Sequence, residues 1–171
     1  KHSLHLELDA RILGMNLPIY GVERTHNSIT FDSIQSDGRS KGIIESADKN
    51  KPIKFIRWLK QGKTILYAID QDYGINSSEI LSFFNIDAAT ITAPHKVVSS
   101  TGCKTYFLNS YFSDGLLNLS LESLEADMSS PRNFSQSIND FIENKIKLHP
   151  DEYLWQHRRF KSTLGKENFY K

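Results

Sequence analysis

The residues with the clearest chemical potential are a histidine and an acid near the start of the chain, in the stretch KHSLHLE. His2 is followed five positions later by Glu7, a spacing that suits a turn presenting the imidazole and a helix carrying the carboxylate. A neutral imidazole can take a proton from an alcohol, and a carboxylate on its other nitrogen fixes the tautomer and stabilises the imidazolium. His5 with Asp9 or with Glu7 would form similar pairs, so spacing alone does not choose among them. Pairs of histidine and acid are also common in structural roles.

Two arginines stand just after extended or helical pieces of the sequence. Arg24 follows Gly-Val-Glu, and Arg39 follows Gly38. A guanidinium group binds phosphate or carboxylate with a fork of donors that lysine lacks. Each arginine is therefore a candidate anion contact, although each by itself is more typical of a solvated surface.

A polar cluster closes the apolar run TILYAID, at Asp70, Gln71 and Asp72. The run is typical of a buried parallel strand, and α/β proteins place their sites at the carboxyl ends of such strands. Asp70 and Gln71 are thus predicted to form the rim of a site. A simple polar turn from strand to loop is the structural alternative.

A cluster of cations and rings occupies residues 150–162, PDEYLWQHRRFKS. Arg158, Arg159 and Lys161 lie beside Trp155 and Phe160, which is typical of an aromatic helix end with a solvated basic rim. Basic residues among rings can also bind nucleic acid. Here they fill one short segment of a chain whose formal net charge is only +1, so we predict no nucleic-acid partner.

The bulk composition limits the remaining classes. The 171 residues, 39% hydrophobic and 24% charged, predict a single globular domain spanning residues 1–171. One cysteine, Cys103, excludes an internal disulfide and a cysteine-rich zinc site. The six histidines are dispersed, and no Gly-rich phosphate loop or GxSxG elbow is present, so we predict no metal.

Helical and extended patterns alternate along the chain, which predicts an α/β fold with a mixed, largely parallel sheet flanked by helices. The opening LHLELDARILGM fits both periodicities, and its composition favours a helix. The other predicted helices are a polar one ending near Gly38, then 53–62, 92–102 and 133–147. The predicted strands are 18–23, the TILYAID run, and a hairpin whose turn is Ser113-Asp114-Gly115.

The motifs, taken in order, resemble one family: the bacterial lipid A biosynthesis acyltransferases, the late lauroyl and myristoyl transferases. The segment from Pro150 to Lys161 is similar to the family's P-E-x-W/Y-x-W-x-H-R-R-F-K block, and DQDYG to its strand-end block. LSFFNIDAAT is similar to F-F-G-x-x-A-x-T, with Asn85 in place of the usual glycine. The matching arginine and helix motifs are GVER, G-R-x-x-G at 38–42, and N-x-x-I-E at 139–143. The start matches H-x4-[DE], and this alignment selects His2 with Glu7.

The resemblance implies a glycerolipid-acyltransferase-like fold and transfer of a fatty acyl chain from acyl carrier protein to a hydroxyl of a lipid A precursor. The expected place is the cytoplasmic face of the inner membrane. It implies His2 as general base and Glu7 as its orienting partner, with no metal and no cofactor beyond acyl-acyl carrier protein as co-substrate. Arg39 either pairs with Glu7 or holds acceptor phosphate. The other expected substrate contacts, to phosphates or to the anionic bilayer surface, are Arg24, Arg158 and Arg159.

Family members carry a membrane helix and a further stretch before the catalytic histidine, which here is residue 2. We therefore expect a catalytic domain trimmed at its N-terminus, with the anchor helix absent from this chain. Two alternatives remain: a non-catalytic remnant or lipid-binding module, and a related acyltransferase acting on another glycolipid acceptor.

Overall fold

The computed structural model describes residues 1–24, 28–165, 167 and 170. The chain divides into two compact units, and each has its own core. We call His5–Ala68 the sheet unit, and Lys1–Leu4 together with Ile69–Lys171 the hairpin unit. The prediction of a single domain stays a prediction.

The sheet unit alternates helices and parallel strands. Its elements are α1 (Leu6–Asn16), β1 (Ile19–Glu23), α2 (Ile29–Ser40), β2 (Ser46–Asp48), α3 (Pro52–Lys60) and β3 (Thr64–Tyr67). The strands form a parallel sheet in the order β2-β1-β3. A parallel pair needs a long crossover, and α2 and α3 supply the two crossovers here. The predicted α/β class is confirmed, and so is the helical assignment of the opening segment.

Helix α1 lies very close to the loop that follows α2. A Cβ atom built on Gly14 would stand 1.8 Å from the carbonyl oxygen of Gly42. Any side chain at position 14 would therefore force the helix and the loop apart. The contact holds α1 at the distance from which Glu7, in its first turn, meets Arg39 of α2.

Helix α3 has an apolar face that is buried and a basic face that is exposed. Phe55 and Trp58 are buried in the sheet unit, and the Trp58 ring lies 4.8 Å from that of Tyr20. The helix is followed by Gly62 at φ 76°, as its sequence predicts.

Strand β3 is parallel as predicted, but the prediction that it is buried is wrong. Residues 65–67 are only half-buried and Thr64 is exposed. The reason is position, since β3 lies at one end of the order β2-β1-β3 and so pairs with β1 alone in that sheet. An apolar run of this length does not reveal whether its strand is central or terminal.

In its described residues the hairpin unit has two antiparallel pairs of strands and the helices α4 and α5. Its elements are β4 (Ser78–Phe83), β5 (Ile86–Ile91), α4 (Ala93–Thr101), β6 (Tyr106–Ser113), β7 (Leu116–Ser123) and α5 (Pro131–Leu148), with single 3-10 turns at Ile75–Ser77 and Pro150–Glu152. The predicted turn between β6 and β7 is confirmed. Asp114 (φ 53°) and Gly115 (φ 76°) both adopt positive φ, as the favoured two-residue hairpin turn requires.

Helix α5 holds the β4–β5 hairpin through its polar side as well as its apolar side. Glu143 accepts a hydrogen bond from the backbone N–H of Phe84 at 2.8 Å, and Asn139 donates to the backbone oxygen of Ser82 at 2.9 Å. These two residues belong to the N-x-x-I-E motif. The core of the unit contains Phe83, Ala88, Phe107, Phe134, Ile138, Ile142, Ile146, Tyr153 and Phe160.

Candidate active site

The imidazole of His2 is buried against the carboxylate of Asp70. His2 is 6% exposed and Asp70 is 4% exposed. The ring Nδ1 lies 2.5 Å from Oδ1 of Asp70, and the backbone N–H of the same histidine donates to Oδ2 at 2.8 Å. A proton on Nδ1 therefore faces the carboxylate, which leaves Nε2 as the nitrogen with a lone pair. This is the tautomer that a histidine base requires.

Electrostatics keep Asp70 ionised in this buried position. Burial by itself disfavours the charged carboxylate, but the electrostatic interaction with His2 and the hydrogen bonds that His2 donates outweigh it, so the pKa of Asp70 lies well below its usual range. An ionised Asp70 can accept both hydrogen bonds from His2 at once. The acid thus fixes the direction of the imidazole and its protonated edge.

Gln71 contacts the opposite edge of the same ring. Its side-chain Nε2 lies 2.8 Å from Nε2 of His2 and donates to the lone pair there. Because Asp70 and Gln71 are consecutive, one short piece of backbone holds both edges of the imidazole. The expectation that this pair forms the rim of a site stays a prediction.

His157 covers a face of the His2 ring. The two ring centroids are 5.9 Å apart and the planes are inclined by 18°. The Nε2 atom of His157 accepts a hydrogen bond from the backbone N–H of Asp72 at 3.2 Å. Burial and the neighbouring His2 lower the pKa of His157 to about 4, against the smaller opposing effect of Asp70, so His157 is neutral near pH 7.

The backbone around His2 is held by the segment that follows α5. The carbonyl oxygen of His2 accepts from the N–H of Leu154 at 3.0 Å, and the N–H of Leu4 donates to the carbonyl of Glu152 at 3.2 Å. Ser3 forms an isolated antiparallel bridge with Tyr153. Residues 152–154 therefore pair with residues 2–4 in the manner of a short strand, and this pairing fixes the position of the His2 backbone.

Asp72 ties the same segment down further along the chain. Its two carboxylate oxygens accept hydrogen bonds from the N–H and the hydroxyl of Ser162, at 2.9 Å and 2.7 Å. Residues 70, 71 and 72 thus contact His2 on two edges and anchor both His157 and Ser162. The site is a compact arrangement of sequence-distant pieces within the hairpin unit.

The structure gives Arg159 a set of protein partners. The residue is 2% exposed, and its guanidinium donates to the carbonyl of Ala89 at 2.6 Å and to the hydroxyl of Thr90 at 2.7 Å. The same hydroxyl accepts from Asn139 at 3.2 Å. These contacts support a structural role that ties the final segment to β5 and α5. The expected contact of Arg159 with substrate stays a prediction.

The other aromatic and cationic residues of the segment 150–162 differ in burial. Phe160 is buried in the core of the hairpin unit. Trp155 is 49% exposed and donates from its indole nitrogen to the carbonyl of Pro150 at 2.6 Å, so it lies outside the core. Arg158 is exposed, with its guanidinium 5.9 Å from the ring centroid of Tyr170.

Glu7 has partners in the sheet unit. Arg39 donates to both of its carboxylate oxygens, at 3.0 Å from Nε and 2.5 Å from Nη2, and Gln35 donates at 2.8 Å. Arg39 also donates to Glu23 at 2.5 Å. Burial opposes the charged guanidinium, but the two carboxylates outweigh it and raise the pKa of Arg39.

These contacts change the expected pairing. The sequence predicted that Glu7 orients His2, whereas the carboxylate hydrogen-bonded to the His2 ring belongs to Asp70. Of the two roles expected for Arg39, the structure shows the ion pair with Glu7. A catalytic role for Glu7 stays a prediction.

A cleft of about 210 Å³ lies beside this ion pair, within the sheet unit. Its lining combines small and apolar residues with four polar or charged ones, Glu7, Arg11, Gln35 and Arg39. Arg24, the remaining predicted anion contact, is exposed at the end of β1 and raises the local positive potential that contributes to a lowered pKa of Lys49, after the larger effect of burial.

Sequence reasoning missed three features of the site: the pairing of Asp70 with His2, the stacking of His157 and the anchoring by Asp72. The last two had signals, since His157 is in the terminal motif and Asp72 in DQDYG. What the sequence lacked was any indication that these segments meet. In the described part of the chain no cluster of three or more His, Cys, Asp or Glu side chains is arranged to hold a metal ion. Among the same residues, no helix combines the length and apolarity needed to cross a bilayer.

The fold and this geometry define an α/β protein with a buried histidine–aspartate pair. Residues 1–162 match the family described as bacterial lipid A biosynthesis acyltransferase, and the chain belongs to that family. It is 33% identical over 167 residues to the lipid A biosynthesis lauroyltransferase of Escherichia coli K12, covering 94% of this chain and 54% of the relative.

Two further relatives give the same picture. The lipid A biosynthesis palmitoleoyltransferase of Escherichia coli K12 is 28% identical, over 99% of this chain and 57% of the relative. The lipid A biosynthesis acyltransferase of Haemophilus influenzae is 30% identical, over 94% of this chain and 54% of the relative. The chain thus spans about half the length of the curated relatives that it matches.

Proposed function

We propose that this chain carries the catalytic site of an acyltransferase that moves a fatty acyl group from acyl carrier protein to a hydroxyl of a lipid A precursor. The observation that carries the proposal is the buried His2–Asp70 pair, with Nδ1 held at 2.5 Å and Nε2 left with its lone pair. Family membership supports the reaction class, because the relatives are named as lauroyl and palmitoleoyl transferases.

The chemistry assigned to His2 is general base catalysis. An alcohol is a weak nucleophile near neutral pH, so Nε2 of His2 takes its proton as the oxygen attacks the thioester carbonyl. Collapse of the tetrahedral intermediate breaks the carbon–sulfur bond, and the proton on Nε2 passes to the leaving thiolate. Asp70 holds the Nδ1 proton and balances the imidazolium that forms. The step uses no metal and no cofactor other than the acyl thioester itself.

The exposed face of α3 supports an acidic carrier as donor. Between Lys49 and Ile69 the sequence contains no Asp or Glu, and Lys51, Arg57 and Lys60 are exposed. Clustered cations of this kind attract an acidic partner and speed its association. We therefore assign the donor side to α3.

We assign binding of the acceptor substrate to arginine side chains that a phosphate group can approach. Arg39 and the adjacent cleft can take a phosphate-bearing sugar if Arg39 exchanges part of its contact with Glu7. Arg24 in the sheet unit and Arg158 in the hairpin unit are exposed, and we assign each as a further anion contact. We propose the cytoplasmic face of the inner membrane as the place of action, where each cation near anionic lipid contributes about 1 kcal/mol.

The proposal is tested by His2→Ala, made in the whole protein and assayed with acyl-acyl carrier protein and a lipid A precursor. We expect transfer to fall by at least about 100-fold, the contribution of a positioned base. His5→Ala is the matched control, since His5 was the competing histidine in the sequence. Unchanged transfer by His2→Ala, in a variant with native circular dichroism, eliminates the assignment of the base. Mass spectrometry of the acylated products identifies the acceptor. A product without the lipid A disaccharide contradicts the assignment of a lipid A precursor as substrate.

A further inference from the structure

The lone pair of the proposed base is already in use in this structure. Nε2 of His2 accepts the hydrogen bond from the Gln71 amide at 2.8 Å, while Nδ1 faces Asp70. A hydroxyl can give its proton to Nε2 only after that amide has moved. The arrangement is therefore closed until something displaces Gln71.

The two contacts on the ring differ in how firmly they are held. Asp70 is 4% exposed and also binds the backbone of His2, so its carboxylate is fixed. Gln71 is half-buried, and its contact with His2 is a single hydrogen bond from the end of a flexible side chain. Displacement of the Gln71 amide is thus the easier change, and it leaves the Nδ1 side undisturbed.

We propose that Gln71 is a gate that keeps Nε2 of His2 from activating water and yields only to the bound acceptor hydroxyl. The inference rests on the proposed function, in which His2 is the base. An acyl thioester has two competing fates at such a site. Attack by the acceptor oxygen gives the ester and the free carrier thiol, and attack by water gives a free fatty acid and the same thiol.

Selectivity follows from what each competitor brings. Water must break the Gln71–His2 hydrogen bond without any other contact to compensate. The acceptor is held by the rest of its structure, so its hydroxyl is presented at high effective concentration and can replace the amide. Gln71 is in this sense a positioning residue, because it acts through the imidazole rather than on the reacting carbon.

The first test is the partition of product in the whole protein. Gln71→Ala should increase thioester hydrolysis relative to acyl transfer about fivefold, the change that corresponds to losing one hydrogen bond worth about 1 kcal/mol. Gln156→Ala is the matched control, since Gln156 is exposed in the same unit. A partition equal to that of the unaltered protein contradicts the gate.

The second test does not depend on turnover. Diethyl pyrocarbonate acylates unprotonated imidazole nitrogen, and mass spectrometry resolves each modified histidine. Gln71→Ala should raise the rate of modification of His2 about fivefold, from the same hydrogen-bond loss, and leave that of His157 unchanged. His157 is an internal reference because its Nε2 accepts from the backbone of Asp72.

The outcomes separate this inference from the proposed function. Loss of transfer in His2→Ala together with unchanged His2 modification and unchanged partition in Gln71→Ala removes the gate and keeps the base. Retained transfer in His2→Ala removes both. Faster modification of both histidines in Gln71→Ala indicates loosening of the site as a whole, and that result also overturns the gate.

Discussion

The backbone N–H of His2 and its ring Nδ1 both bind the carboxylate of Asp70, one to each oxygen. A single buried acid thus fixes the position of the residue and the orientation of its ring. The two residues are 68 positions apart in sequence, and the hydrogen bonds between them connect the start of the hairpin unit to the residues that follow β3.

Replacing Asp70 by Asn should lower kcat for acyl transfer by roughly 1,000-fold, because an amide can neither balance the imidazolium nor enforce the Nδ1 proton. The measurement is kcat in the whole protein, with folding checked by circular dichroism. Glu7→Gln is the matched comparison, since Glu7 is the acid that the sequence favoured. A larger loss in Glu7→Gln than in Asp70→Asn returns the orienting role to Glu7.

Stability should fall as the pH drops from about 6.5 to about 4 because of His157. Its pKa in the folded protein is about 4, below the ordinary value of 6.5, so the unfolded chain takes up the proton first. The contribution of His157 to stability is complete at pH values above its ordinary pKa of 6.5 and is lost progressively as the pH falls below that value. After allowance for solvent screening, it amounts to about 1–2 kcal/mol of the free energy of unfolding.

Urea unfolding at several pH values measures this effect. His157→Gln, which keeps a hydrogen-bond acceptor, should flatten the pH dependence between about 6.5 and about 4. Below that pH window, further loss of stability comes from groups such as Asp70. Because the pKa of Asp70 is lowered, its contribution to the free energy of unfolding is lost only in stronger acid. An unchanged slope in His157→Gln contradicts the assignment.

Arg159 and its neighbour Arg158 should differ strongly in how much each contributes to the free energy of unfolding. Arg159→Ala leaves the carbonyl of Ala89 without its buried donor and opens a cavity beside Thr90, and should reduce the free energy of unfolding by about 3 kcal/mol. Arg158→Ala, at an exposed position, should change it by less than about 0.5 kcal/mol. Chemical denaturation measures both, and equal costs would show that the buried contacts of Arg159 are not what stabilises the segment.

Gly14→Ala should destabilise the sheet unit by about 1–3 kcal/mol, because the new methyl group meets the Gly42 carbonyl and forces α1 away. Gly38→Ala is the matched control. A Cβ at Gly38, in α2, meets no atom within 4 Å, so the substitution should be neutral or stabilising by up to about 1 kcal/mol. Thermal unfolding of the two variants gives the change in the free energy of unfolding for each. Equal changes would contradict the close approach of Gly14 to the Gly42 carbonyl.

Local sequence pattern predicted the elements that depend on local chemistry. Helix α3 with its stop at Gly62 and the β6–β7 hairpin around Asp114-Gly115 follow from composition, periodicity and turn residues, and the structure confirms them. The β4–β5 hairpin was not predicted. Its turn places Phe84 (φ 54°) and Asn85 (φ 58°) in the left-handed region, which a phenylalanine rarely adopts.

The candidate site was only half predictable for a related reason. His2, Asp70 and Gln71 were each identified as chemically suitable, but sequence spacing offers partners only within a few residues. Spacing left several pairs open and the family motif selected Glu7, whereas the His2 ring binds an acid 68 residues away. Arg159 shows the same limit, since nothing in a run of adjacent arginines reveals which one points inward.

The dependence of His2 on Leu154 and His157 has a consequence for biosynthesis. A ribosome completes residue 2 long before residue 157, so during most of translation the imidazole lacks the strand and the stacked ring that hold it. This arrangement around His2 forms only when the downstream segment docks, as a late step in chain maturation. Nascent or prematurely terminated polypeptides would therefore have the histidine without its organised surroundings.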